Sequence, residues 1–153
     1  MKRTTVVLWT GVVLYLIAWL LPVADGGTTL AQGGVPGWEA FRLALSPFWP
    51  YQGSGGGRGV LDVLGALSAL TNVWLIWATV VLAARRTRFR PVALGGLALS
   101  VPLNAIWFVF IDDRAGLRAG YYAWFGAFVV LAAAAYLLTS EPARPSRTAA
   151  VAG

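Results

Sequence analysis

The chain has 153 residues, of which 58% are hydrophobic and only 12% charged, with a formal net charge of +6. A soluble domain carries about a quarter charged residues, so this composition and a mean hydropathy of +0.69 describe a membrane protein. The absence of cysteine and histidine excludes disulfides, thiolate or imidazole metal sites, Ser–His and Cys–His nucleophiles and imidazole proton relays.

The first apolar segment covers residues 4–23 and follows Lys2 and Arg3. It has the n-region of a signal peptide, but its apolar run exceeds the usual 7–15 residues. It also carries Trp9, Tyr15 and Trp19. The reading is an uncleaved first span.

Residues 24–59 form a long loop punctuated by "DGG", "QGG" and "GSGGG". Between these lies "PGWEAFRLALSPFWPY". Trp38, Phe41, Leu45 and Phe48 recur at helical spacing, Glu39 and Arg42 fall off that face, and Pro36 and Pro47 bracket the run. The pattern predicts a short amphipathic helix over 37–46 at the outer membrane interface. It acts as a plain cap or as a lid over a ligand, and the plain cap is the simpler reading.

Three more apolar segments follow, at 60–84, 91–111 and 120–139. With a rise of about 1.5 Å per residue, each crosses a hydrocarbon core about 30 Å thick. Lipid offers the backbone no partners, so the spans must be helical. The short turn "RRTRFR" makes the second and third spans an antiparallel hairpin. The expected fold is an all-α membrane four-helix bundle, one domain over 1–139, with a flexible tail over 140–153.

Charge sets the orientation. One side of the membrane collects Lys2, Arg3, Arg85, Arg86, Arg88, Arg90, Arg144 and Arg147 against Glu141 alone. The other collects Arg42, Arg58, Arg114 and Arg118 against Asp25, Glu39, Asp62, Asp112 and Asp113. The positive-inside rule puts both termini and the arginine turn in the cytoplasm. The basic charge is thus a topology signal and does not point to nucleic acid. Arg85, Arg86, Arg88 and Arg90 are candidate contacts for anionic lipid headgroups, worth about 1 kcal/mol each near the surface. Eleven arginines to one lysine, with abundant Ala and Gly, suggest a GC-rich bacterial genome, hence the bacterial inner membrane.

Two amides lie deep in the hairpin. Reflection about its turn pairs residues whose numbers sum to about 175, which puts Asn72 and Asn104 at one depth. An unsatisfied amide in hydrocarbon is costly, so the two are expected to bond across the helix interface as structural glue. The alternative is that they line a polar site. Pro102 frees the Ala98 carbonyl for another donor, with Ser100 or a neighbouring helix as candidates.

At the outer face, Asp112 and Asp113 precede Arg114 and Arg118. Two adjacent carboxylates are too few for a dedicated calcium site, and local ion pairing in a solvated loop is the simpler reading. Asp62 has Arg58 four residues earlier as a helical partner. Trp38, Asp62, Asp112, Asp113, Arg114, Tyr121 and Tyr122 make up the candidate outer-face site. Of the eight tryptophans, Trp9, Trp38, Trp49 and Trp124 suit an interfacial belt. Trp19 and Trp107 lie near outer span ends, and Trp74 and Trp77 lie deeper. An aromatic-lined cavity competes here with ordinary packing, which is preferred.

Gly37–Trp38 in the outer loop, Asn72 mid-span, Arg85–Arg86 at the turn and "GYYAW" (120–124) resemble a widespread set of small, uncharacterised bacterial four-span inner-membrane proteins. Those relatives tend to have a proline after the second-span asparagine, where this chain has Val73. The resemblance implies the topology and no activity. The functional expectation is a non-catalytic accessory or assembly subunit of a membrane complex, with lipid and other membrane subunits as partners. It has no cofactor, no metal and no nucleic acid. The alternative is a small transporter or binder of a hydrophobic ligand, its pocket lying between the asparagine level and the outer helix.

Overall fold

Proline decides where the first helix stops. The chain is seen in a computed structural model that describes residues 2–25, 34–46, 48, 59–110 and 116–140. Helix α1 (Lys2–Leu20) ends just before Leu21, whose helical backbone the Pro22 ring disfavours. The expected span reached 23, so its last turn is lost to an extended segment, β1 (Pro22–Ala24). This strand pairs antiparallel with β2 (Val35–Pro36). On the other side of β1, Leu117 bridges Ala24, and the Arg118 N–H donates to the Val23 carbonyl at 3.0 Å. This small extended cluster was not expected in an all-α chain. It gathers three separate segments over one end of the bundle, where Arg118 and Asp25 form a half-exposed ion pair.

Helix α2 (Gly37–Ala44) is the predicted amphipathic helix, slightly shorter than expected. It starts against α1: the Gly37 N–H donates to the Leu21 carbonyl at 3.1 Å. A Cβ at Gly37 would overlap the Ala18 carbonyl and come within 2.9 Å of the Trp19 Cα. Only glycine lets the helix sit this close.

Helix α3 (Val60–Ala83) begins where the Asp62 carboxylate accepts the Gly59 N–H at 3.1 Å, satisfying one of the free donors of a helix start. It ends in a Schellman turn. The Arg86 N–H donates to the Val81 carbonyl and the Arg85 N–H to that of Leu82, with Arg85 at φ 53° in the left-handed region. A single 3₁₀ turn (Thr87–Phe89) leads to α4 (Arg90–Ala105). The third apolar stretch is broken: α4 carries Pro102, stops at Ala105, and resumes after Ile106 as the short α5 (Trp107–Phe110). The last helix, α6, covers Ala119–Ser140.

Four helical stretches, 3–20, 60–83, 87–110 and 119–140, are long and apolar enough to cross a membrane. This agrees with the four expected spans. Helix α1 packs mainly along α6, α6 also along α4, and α4 along α3. Contact between α1 and α3 is slight, and α2 bridges them. Phe128, Leu131, Leu97, Leu75 and Leu82 fill the centre. Small residues bring the helices close, as expected where lipid supplies no hydrophobic drive between them. A Cβ at Gly11 would come 2.7 Å from the Leu131 Cγ. Outward faces are apolar too, with Leu99 74% exposed. At the arginine-rich end, Arg90 Nη1 donates to the Leu138 carbonyl at 2.8 Å and ties the start of α4 to the end of α6.

Candidate ligand cavity

Ser68, Thr71 and Asn72 fall at i, i+3 and i+4 on α3, so they share one face. All three are buried, and Asn104 in the last turn of α4 is fully buried against them. The Ser68 hydroxyl donates to Asn104 Oδ1 at 2.8 Å. Asn104 Nδ2 donates to Thr71 Oγ1 at 3.1 Å, and Thr71 donates to the Ser68 carbonyl at 2.6 Å. The carbonyl of Asn104 has lost its helical donor at the α4 break, and the Tyr121 hydroxyl donates to it at 2.6 Å. Tyr121 therefore stitches α6 to the broken end of α4.

The two asparagines share a buried layer, but the expected bond between them does not form. Hydroxyls on α3 lie nearer to Asn104, and Asn72 engages α6 instead. Its Oδ1 accepts the Trp124 indole N–H at 2.8 Å, and its Nδ2 donates to the Ala69 carbonyl at 3.0 Å. Ser100 also differs from expectation: its hydroxyl donates to the Gly96 carbonyl at 2.7 Å, its own preceding turn, and not to Ala98.

Beside this layer, at the end of the bundle away from the arginine turn, lies a cavity of about 210 Å³. It occupies the gap between α1, α3 and α6, with α2 across it. Trp19 and Phe41, with ring centroids 5.3 Å apart, meet it from α1 and α2. Tyr121 and Trp124, 5.8 Å apart, meet it from α6, and Trp107 from α5. Trp107 holds its place by donating its indole N–H to Ser68 Oγ at 3.3 Å. Asn72 and Ser68 supply polar atoms to the lining, which contains no Asp, Glu, Lys or Arg among the described residues.

The candidate outer-face residues separate in the structure. Tyr121 lines the cavity. Trp38 does not. It is 50% exposed, because α2 turns Gly37, Ala40, Phe41 and Ala44 inward in place of the expected stripe through Trp38 and Phe48. Small residues at three of those positions let α2 lie close to its neighbours. Asp62 caps α3, and Tyr122 is half exposed with its ring 6.0 Å from Phe108. Asp112, Asp113 and Arg114, and the Arg58 partner expected for Asp62, lie outside the described residues. Arg85, Arg86 and Arg88 are exposed at the opposite end, while Arg90 is half buried in its bond to Leu138.

Sequence reasoning missed the convergence of Trp19, Phe41, Trp107 and Trp124. The signal was present in part: the depth reflection that aligned Asn72 with Asn104 places Trp107 across from Ser68, since their numbers also sum to 175. Comparison with family models, with curated proteins and with solved structures finds no match to this chain.

Proposed function

We propose that this chain is a multi-pass protein of the bacterial inner membrane, with both termini cytoplasmic, that binds a small hydrophobic molecule and performs no chemistry on it. The observation that carries the reading is the aromatic-lined cavity under α2, uncharged among the described residues, at the level the sequence marked with Asn72 and Asn104. Small-molecule sites have this character: concave, mostly apolar, with a few placed polar groups. An engineered apolar cavity of about 150 Å³ already takes up benzene, so the volume suits a ligand somewhat larger than that. Asp62, the one candidate carboxylate among the described residues, caps α3 and does not line the cavity, and the cavity's tyrosine is engaged with a backbone carbonyl, which favours binding over acid–base catalysis.

The orientation rests on the arginine turn and the positive-inside rule. In that orientation α2 lies on the outer face, and Arg85, Arg86 and Arg88 meet cytoplasmic headgroups. Native mass spectrometry of protein extracted gently from its own membrane tests the function. A bound molecule is expected on the wild-type chain and lost in Ala69→Leu and Ala40→Leu, which fill the cavity from α3 and from α2. A chain that carries only bulk lipid, unchanged by either substitution, would refute binding. A stoichiometric protein partner in that spectrum would instead favour an accessory subunit of a membrane complex.

A further inference from the structure

Resting on the reading of the cavity as a ligand site, we infer that its ligand is a neutral, planar, single-ring compound bearing an acceptor oxygen, a ring ketone or quinone-class head. Three observations carry this. First, among the described residues the lining has no Asp, Glu, Lys or Arg, and a charged head would find no partner among them in a low-dielectric site. Second, the walls are flat or small. Among the described residues, five aromatic side chains and a set of Ala and Gly residues line the space, with Val23 and Leu117 as the branched aliphatics. Rings recognise rings edge-to-face or offset at 4.5–7 Å, whereas an acyl chain has few branched side chains here to pack against.

Third, the hydrogen bonds at the cavity leave an amide donor over. Of the three indoles that line it, Trp124 and Trp107 have their N–H engaged, on Asn72 and on Ser68. The Ser68 and Tyr121 hydroxyl hydrogens are engaged on Asn104. An asparagine amide carries two N–H donors, and Asn72 spends one on the Ala69 carbonyl. Its second has no partner among the described residues, and Asn72 is 5% exposed and lines the cavity. A buried donor without a partner is costly, and an acceptor oxygen on the ligand would satisfy it. The Trp124 bond to Oδ1 fixes the amide so that nitrogen, not oxygen, is the free end.

The test uses the full chain in nanodiscs and three uncharged probes: tetramethyl-1,4-benzoquinone, tetramethylbenzene and dodecane. Thermal unfolding is followed by circular dichroism while each probe is titrated, since a ligand that binds only the folded state raises the midpoint by mass action. The quinone is expected to bind about three- to tenfold more tightly than the hydrocarbon ring, the value of one neutral hydrogen bond. Its infrared carbonyl band is expected to shift to lower frequency when bound, and the shift to vanish in Asn72→Leu. Because that substitution strips Trp124 of its acceptor, the double variant Asn72→Leu/Trp124→Phe serves as the second test of the same loss. A benzoquinone carrying a ten-carbon chain distinguishes sources. Tighter binding than the bare ring indicates a membrane lipid with a ring head, and equal binding indicates a free ring compound.

Equal affinity for the two bare rings, or binding of dodecane in preference to both, would overturn the acceptor-oxygen inference while leaving a ligand cavity in place. If none of the probes binds and Ala40→Leu alters nothing, the cavity reading itself falls and this inference with it.

Discussion

Replacing Asn104 by leucine isolates the polar layer that braces α3 against α4. The substitution keeps the side-chain volume and removes the two shorter bonds of the amide, one from Ser68 at 2.8 Å and one to Thr71 at 3.1 Å, with a long one from Thr71 at 3.5 Å. The Tyr121 bond to the Asn104 carbonyl survives because it is made to the backbone. Interhelical hydrogen bonds in membrane proteins average about 0.6 kcal/mol and reach about 1.7, so losing two costs about 1–2 kcal/mol. Unfolding in mixed micelles against rising dodecyl sulfate, followed by circular dichroism, measures it. A double-mutant cycle with Ser68→Ala should return a coupling of about 0.6 kcal/mol. If Asn104→Leu is as stable as wild type and the coupling is zero within error, the layer contributes packing only and the bracing argument fails.

Other substitutions test other contacts. Gly96→Ala would drive a methyl into the Trp74 indole, and such overpacking costs about 1–3 kcal/mol. Gly95→Ala meets nothing within 4 Å and should be neutral or stabilising by up to about 1 kcal/mol; equal behaviour of the two by the same micellar titration would contradict the packing of α3 on α4. Arg85→Gly relieves the left-handed backbone at φ 53° and should stabilise by about 1 kcal/mol, read as a higher thermal midpoint. Arg90→Met removes the donor to Leu138, and amide exchange at residues 136–140 should speed up about tenfold, the scale of one charged hydrogen bond; unchanged exchange would show that α6 ends without this tie.

The helices were legible because lipid leaves the chain no alternative. Apolar segments about 20 residues long with at most one charge become helices wherever they fall, and 60–84 and 120–139 agree with α3 and α6 to within a residue. The helix ends that departed from expectation each involve a backbone effect that hydropathy does not register. Pro22 shortened α1 into a strand, and Pro102 preceded the break that exposes the Asn104 carbonyl. The depth of Asn72 and Asn104 followed from counting residues across a short turn. Their partners did not, because a rotation of α3 that favours Ser68 and Thr71 over Asn72 is set by side-chain shape. The cavity was the least legible feature. It is a gap between α1 and α3, and no local pattern announces that two helices fail to pack. The face of α2 that closes it was misread because a large moment favours the biggest side chains, while close approach selected glycine and alanine.

The pairing of α1 with α6 has a consequence for how the protein comes into being. Helix α1 has as its principal neighbour α6, which is synthesised later, with about a hundred residues between Leu20 and Ala119. At roughly 5–20 residues per second, α1 waits on the order of 5–20 s in the bilayer before Leu131 can close on Gly11. During that time its small-residue face is open to whatever else the membrane holds. Trp124 and Tyr121 arrive with α6, so the aromatic chamber is incomplete until that helix is made and docks.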